Sequence, residues 1–140
     1  MIVVDTNVVS ELMRPDPHPR VKAWSFSHAP DALFASAVTE AELRHGLAKM
    51  PGGARRDDLA RRLEAVFARL LAGRVLAFDR AAAAIYAEFM AARRAAGRPV
   101  LMPDAMIAAT ARARGASLIA TRDGRGFEGC GVPVLDPWRA

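Results

Sequence analysis

Short runs of apolar, largely β-branched residues, separated by longer stretches with helical spacing, restrict the fold of this chain more than any other feature. The runs are Ile2–Val4, Leu33–Ala35, Val75–Phe78, Leu118–Ala120 and, shorter, Val132–Leu135. None alternates with polar residues as a strand with one wet face does, so each is expected to be buried on both faces. Val8–Met13 reads as the first turns of a helix ending before Pro15. Between Arg55 and Ala72, Leu59, Leu63, Val66, Phe67, Leu70 and Leu71 recur at helical spacing, and Gly73 stops the pattern. Ala81–Ala96 carries Ile85, Phe89 and Ala92 on one side and ends at Gly97. Ala105–Arg114 is small and apolar, suited to close packing on a sheet, and ends at Gly115. The segment KMPGGARRDD reads as a loop between two helices. Strands alternating with helices imply an α/β fold with a mostly parallel sheet covered on both faces.

Several classes are excluded. A chain of 140 residues is expected to form one domain spanning 1–140. Its 52% hydrophobic content is too high for a disordered protein. No apolar run approaches the roughly 20 residues of a membrane span, and no basic segment precedes a signal-type apolar core at the N-terminus. The expected location is therefore the cytoplasm, away from membranes. Cys130 is the only cysteine, which rules out an internal disulfide and any multi-cysteine zinc site; it reads as a small, partly buried hydrophobe. The net charge of +5 suits a polyanionic partner. However, eighteen of the twenty basic residues are Arg and thirty residues are Ala, a bias that genome composition alone also produces.

Polar residues interrupt this pattern at particular places. Asp5, Thr6 and Asn7 lie where the first strand meets the first helix, and all three are good helix caps. The same junction is where open α/β sheets bind ligands. Glu42 follows the second strand inside SAVTEAELRHGL, where Thr39 and Glu42 also make a capping box. Asp104 lies in the first turn of a helix opened by Pro103, a place that favours negative charge. Asp123 follows a late strand in LIATRDGRGF, where Asp-Gly is also an ordinary turn. A parallel sheet brings all four acids to one edge. Carboxylates gathered there raise one another's pKa values, and a divalent cation with a taste for hard oxygen ligands, Mg²⁺ or Mn²⁺, removes that penalty. Asp79 also follows a strand and opens a helix, and reads as an N-cap.

The blocks VVDTNVVSEL, SAVTEAELRHGL, PDAMIAATA and IATRD resemble, in order and separation, the motifs of PIN-domain proteins. The resemblance runs from Met1 to the closing VLDPW and looks closest to the toxin subunits of VapBC- and FitAB-type toxin–antitoxin pairs. It implies an α/β/α sandwich on a parallel sheet and a metal-dependent endoribonuclease that leaves a 3′-hydroxyl and a 5′-phosphate. Carried over residue by residue, it implies that Asp5, Glu42 and Asp104 hold the metal, with Asp123 as a fourth catalytic acid. Thr6, Asn7 and Thr121 match supporting polar positions that orient carboxylates or waters. It also implies RNA as substrate, a homodimer, and a cognate antitoxin that lays a segment across the toxin with a basic side chain near the acids. Operator DNA is then bound through the antitoxin. The helix Arg55–Ala72 is a candidate for part of the dimer interface, unless its apolar stripe is used in the core.

Arg44, Arg122 and Arg125 are candidate phosphate contacts near these motifs. Glu40 lies about 200° around the helix from Glu42 and is left out of the site. His45 has no nucleophile or orienting partner and reads as a surface or packing residue. His18 and His28 fall in loop-like sequence without zinc-ligand spacing. Trp24, Phe26 and Trp138 are expected in or beside the core. Two other readings remain open. One is a PIN-type binding module that dimerises and regulates operator-DNA binding through its partner. The other, remote, is an aspartyl-phosphate phosphatase. Such enzymes resemble an Asp-x-Asp opening where this chain has Asn7, and neither Lys22 nor Lys49 lies in a matching motif.

Overall fold

Val3 points to one side of its strand while Ile2 and Val4 point to the other, and all three are buried. A strand so buried needs a layer on each side. The computed structural model describes all residues 1–140 and supplies both layers. The sheet contains β1 (Ile2–Val4), β2 (Leu33–Ser36), β3 (Val75–Leu76), β4 (Leu118–Ala120) and β5 (Val134–Leu135) in the order β3-β2-β1-β4-β5. Every pairing is parallel, with Ile2 opposite both Leu33 and Leu118.

On the face of Ile2 and Val4 lie α1 (Thr6–Leu12), α2 (Pro19–Phe26) and α4 (Ala54–Ala65), contributing Val8, Val9, Val21, Trp24 and Leu63 to the core. α4 continues as a π-helical turn over Val66–Leu70, and Phe67 and Leu71 complete this cluster. On the face of Val3 and Ile119 lie α5 (Arg80–Ala95) and α6 (Met102–Ala113), with Phe89, Ile107, Ala108 and Ala111 buried. α3 (Ala37–Ala48) follows β2 without a connecting loop, because Ser36 both ends the strand and caps the helix. The expected α/β/α sandwich is thus present. No helix is long and apolar enough to cross a membrane.

Several local expectations are corrected. α2 was unforeseen: only Val21, Trp24 and Ser25 are buried among charged and polar neighbours, which leaves little helical periodicity to read. His18 caps α2, its Nδ1 accepting from Arg20 N at 3.3 Å, and His28 follows the helix end, so both remain outside regular elements. Phe26 is not in the core but 72% exposed, whereas Trp24 is buried and Trp138 packs partly against the core. The helix expected from Arg55 begins at Ala54, so the loop after α3 narrows to residues 49–53. Leu63, Phe67 and Leu71 of its apolar stripe are used in the core, while Leu59, Val66 and Leu70 stay partly exposed. Along α5 the buried residues are Ala82 and Phe89, and Ala92 faces solvent. Cys130 is buried, as expected.

The chain leaves the π turn through two consecutive left-handed residues, Ala72 at φ 46° and Gly73 at φ 73°. Glycine adopts that region freely, while a Cβ makes it unfavourable by about 1–2 kcal/mol. Ala72→Gly relieves this strain and adds some freedom to the unfolded chain. The net expectation is a gain of about 0.5–1 kcal/mol in equilibrium denaturation, with the midpoint moving up. A loss would show that contacts of the Ala72 methyl outweigh its backbone strain.

Candidate active site

β1 has β2 on one side and β4 on the other, and the chain reaches these neighbours by helices on opposite faces of the sheet. The carboxyl end of β1 is therefore the switch point where ligands bind in open α/β sheets. Asp5 stands there. Its Oδ1 accepts from Thr6 N at 2.7 Å, so it caps α1. Its Oδ2 accepts from Thr121 Oγ1 at 2.7 Å and from Asn7 Nδ2 at 3.1 Å. Asn7 Nδ2 also donates to Thr121 Oγ1 at 3.1 Å, and its Oδ1 accepts from Arg122 N at 3.2 Å. Residues from the ends of β1 and β4 thus lock one carboxylate in place. Cap and site residue are the same side chain.

Glu42 reaches this cluster from α3. Thr6 Oγ1 donates to Glu42 Oε1 at 2.7 Å. The anticipated Thr39–Glu42 capping box is not formed. Ser36 is the cap, its Oγ accepting from Thr39 N at 3.0 Å, which leaves Glu42 free to face Thr6. Asp104 sits in the first turn of α6. A Cβ on Gly126 would stand 3.0 Å from Asp104 Oδ2, so the bare glycine keeps that oxygen's surroundings open. Asp123 caps the 3-10 turn Gly124–Phe127, its Oδ1 accepting from Arg125 N at 3.3 Å. Asp123 N in turn donates to Thr121 Oγ1 at 3.2 Å.

The electrostatics show that the four acids share one environment. Asp104 is pushed up to about 6, first by burial and then by the charges of Asp5, Glu42 and Asp123. Asp5 is also raised, mainly by burial; its bonds to Thr121 and Thr6 oppose the shift, and Glu42 and Asp123 add to it. None of the four takes part in any ion pair of the protein. The carboxylates surround the site without closing on one point, since no three His, Cys, Asp or Glu side chains form a ready-made metal-holding group. The donor set, all hard carboxylate oxygens with no protein cation among them, nevertheless suits Mg²⁺ or Mn²⁺.

The arginines divide. Arg44 is bound to Glu40 at 2.7 Å and to Glu64 at 2.8 Å, which takes it out of the set of free phosphate ligands. Glu40 accordingly turns away from Glu42. Arg122 and Arg125 have exposed side chains with no carboxylate partner. Asp79 is the N-cap it was expected to be, accepting from Ala82 N at 3.0 Å and paired with Arg114. His45 is exposed and lines an apolar groove beside Glu42. Ser36 and Gly126 were missed, and buried Thr39, read only as a cap, accepts from Thr6 Oγ1 at 3.3 Å beside Glu42. Ser36 and Thr39 lay in view within the second motif, whereas nothing in RDGRGF singles out the second glycine.

The family model of the PIN domain matches residues 2–129. This chain belongs to the PIN-domain family. It is 46% identical over 138 residues to VapC ribonuclease Y4jK of Sinorhizobium fredii, covering 99% of this chain and 98% of that protein. It is 42% identical over 138 residues to Toxin FitB of Neisseria gonorrhoeae, covering 99% of each. In a solved structure of FitAB bound to an IR36 DNA fragment, the matching chain superposes with a TM-score of 0.87 at 40% identity, covering 99% of this chain and 96% of that one. The PIN fold and the kinship to VapC and FitB toxins agree with the resemblance carried by the four motifs.

The charge cluster of this PIN domain makes its stability depend on pH in a definite direction. Asp104 binds its proton more tightly in the folded protein than at its ordinary value of 3.8. Its contribution to stability is therefore full below about pH 4 and is lost as pH rises through about 6. Asp104→Asn is nearly isosteric and neutral at every pH. The melting temperature of this variant relative to wild type should rise by about 3 °C between pH 4 and pH 7.5, the response to about 1 kcal/mol discounted for partial exposure. A difference independent of pH would show that Asp104 does not feel the other acids.

Proposed function

We propose that this chain is a metal-dependent endoribonuclease, the toxin of a VapBC/FitAB-type pair. The observation that carries the reading is the gathering of four carboxylates at the sheet switch point with no protein cation to offset them. Asp5, Glu42 and Asp104 are the residues that would hold Mg²⁺, or Mn²⁺ in its place, with Asp123 as the fourth acid. When bound there, the ion supplies positive charge for the phosphoryl oxygens and lowers the pKa of a coordinated water.

The chain's own residues do the positioning. Thr6, Asn7 and Thr121 fix the Asp5 carboxylate through three hydrogen bonds, which reduces its rotational freedom before any ligand arrives. Thr6 also aligns Glu42, so one threonine couples two of the acids. Arg122 and Arg125, exposed and free of carboxylate partners, are the cations available to the RNA beside the acids, Arg125 as a candidate phosphate contact. The phosphatase reading loses further ground, because the Asn7 amide that stands where it needs a second Asp is spent on Asp5 and Thr121.

Purified protein freed of any partner should cleave RNA in Mg²⁺ and stop on chelation. Asp104→Asn should lose about 10²-fold or more of that rate while staying folded. Calorimetry should show Mg²⁺ or Mn²⁺ binding to wild type that Asp5→Asn loses. A folded wild type that binds no metal and cuts no RNA would favour the binding-module reading.

The relatives also suggest partners. The solved FitAB structure is of a complex on DNA, and another similar structure is of a member of the VapBC family of toxin–antitoxin systems. By the same reading, this chain forms a homodimer, binds a cognate antitoxin, and reaches operator DNA through it. Exposed Leu101 and Met102, next to the groove formed by Val38, Ala41 and Met106, offer apolar surface for a second copy. Light scattering should give a dimer alone and a larger hetero-oligomer with the product of the neighbouring gene. A monomer indifferent to that product at micromolar concentration would remove the antitoxin proposal and leave the nuclease proposal standing.

A further inference from the structure

A cleft of about 590 Å³ lies beside the acids rather than over them, within the range of small-ligand sites. It opens between the carboxyl end of α1 and the segment that follows β5. Glu11 stands one helical turn beyond Asn7 on α1, about 6 Å along the axis. Arg122, on the other wall, follows Thr121 directly and donates its N–H to Asn7. The cleft therefore begins where the acid cluster ends.

Its groups are those that recognise nucleotides. The Arg122 guanidinium lies over the Trp138 ring, 5.2 Å from its centroid, and the arginine is exposed with no acid partner. Glu11 is 9% exposed, and its Oε1 accepts from His18 N at 2.7 Å. Its Oε2 has only Arg14 at 3.5 Å, which leaves it able to accept from a base N–H. Asp136 is occupied by Trp138 N at 2.9 Å, with Arg139 at 3.5 Å. Arg14 and Arg139 are 63% and 87% exposed, so these long ion pairs hold them weakly and both are free to turn to phosphates.

Building on the ribonuclease reading, we infer that this cleft holds the nucleotide next to the scissile phosphate. Its base stacks on the Arg122 guanidinium that Trp138 supports, Glu11 meets the base edge, and Arg14 and Arg139 meet the phosphate. The walls carry Arg14, Arg122 and Arg139 against Glu11, Asp16 and Asp136, so charge alone does not choose the occupant; the flat cationic face of Arg122 backed by Trp138 favours a nucleotide base over a basic peptide.

The test uses the Asp104→Asn protein, which retains RNA without cutting it, and a short single-stranded RNA oligonucleotide. Saturable quenching of tryptophan fluorescence is expected, and it should vanish in a Trp138→Leu background, since Trp24 is buried in the core. Affinity should fall about tenfold in Arg122→Ala, within the range of base stacking contributions. Arg122→Lys should fall as far, because it keeps the charge and loses the planar group. Arg122 is exposed, so its variants test the cleft even where Trp138→Leu disturbs packing; melting curves check this. Wild-type affinity in Arg122→Lys, RNA binding without a Trp138 response, or quenching by a basic peptide but not by RNA each overturns the inference. Oligonucleotide quenching in Asp104→Asn alongside a wild-type protein that never cleaves RNA in Mg²⁺ would instead overturn the ribonuclease reading and keep the cleft as a nucleotide site.

Discussion

Repulsion among carboxylates at one edge of the sheet is the constraint to which the local structure answers. Asp5 is buried, and burial raises its pKa, so its charged form is costly there unless hydrogen bonds replace the lost water. Thr6, Asn7 and Thr121 supply three such bonds, and each of those residues makes further contacts of its own. The junctions after β1 and β4 are thereby tied to each other, and Thr6 ties both to α3. A neutral residue at position 5 would need none of this polar framework. The bonds from Thr121 and Thr6 oppose the rise that burial imposes on Asp5 and so favour its charged form.

The layers behind the edge give that framework its rigidity. Val3 and Ile119, fully buried on adjacent strands, fix the separation of the strand ends that carry Asp5 and Thr121. α6 buries Ala105, Ala108 and Ala111 against the sheet side, and these small side chains let the helix lie close to it. Asp104 gains its position from that close approach. A bulkier face on α6 would lift the helix and carry Asp104 away from the other acids, so core packing and site electrostatics are one problem here.

Much of this was legible because polar residues stand out against strands buried on both faces. Asp5, Glu42, Asp104 and Asp123 each lie just beyond an apolar run or at a helix start, where periodicity locates them well. Their partners Thr6, Asn7 and Thr121 share the same short motifs. What escaped notice depends on contacts between segments distant in sequence. α2 has too few buried residues to give a periodic signal, and Phe26 was placed inside on hydrophobicity alone. Arg44, a candidate phosphate contact by sequence, is paired with Glu40 one turn away, a legible i,i+4 pair, and with Glu64 twenty residues on, which only the fold brings near. Gly126 matters only for the space it leaves beside Asp104, which no spacing rule reveals. Glu11 meets its cleft only because the segment after β5 folds against α1, a contact the sequence around Glu11 does not signal.

A single electrostatic imbalance links the proposed activity to its control. Four acids without a protein cation attract any positive group that fits, and the chain itself selects only for hard, oxygen-seeking charge. On the proposed reading, a divalent ion would satisfy that demand and leave the edge open to RNA. A basic side chain from the proposed antitoxin would satisfy it too, by hydrogen-bonding the carboxylate oxygens, and would cover the edge. Ion and side chain then compete for the same negative charge. The more strongly Asp5, Glu42 and Asp104 repel one another, the more tightly both are held. On this reading the property that lets the site recruit a metal also makes it easy to silence, and no separate regulatory surface is needed. On that reading, removing one of the charges should lower affinity for metal and antitoxin together, the shared dependence that a single electrostatic origin requires.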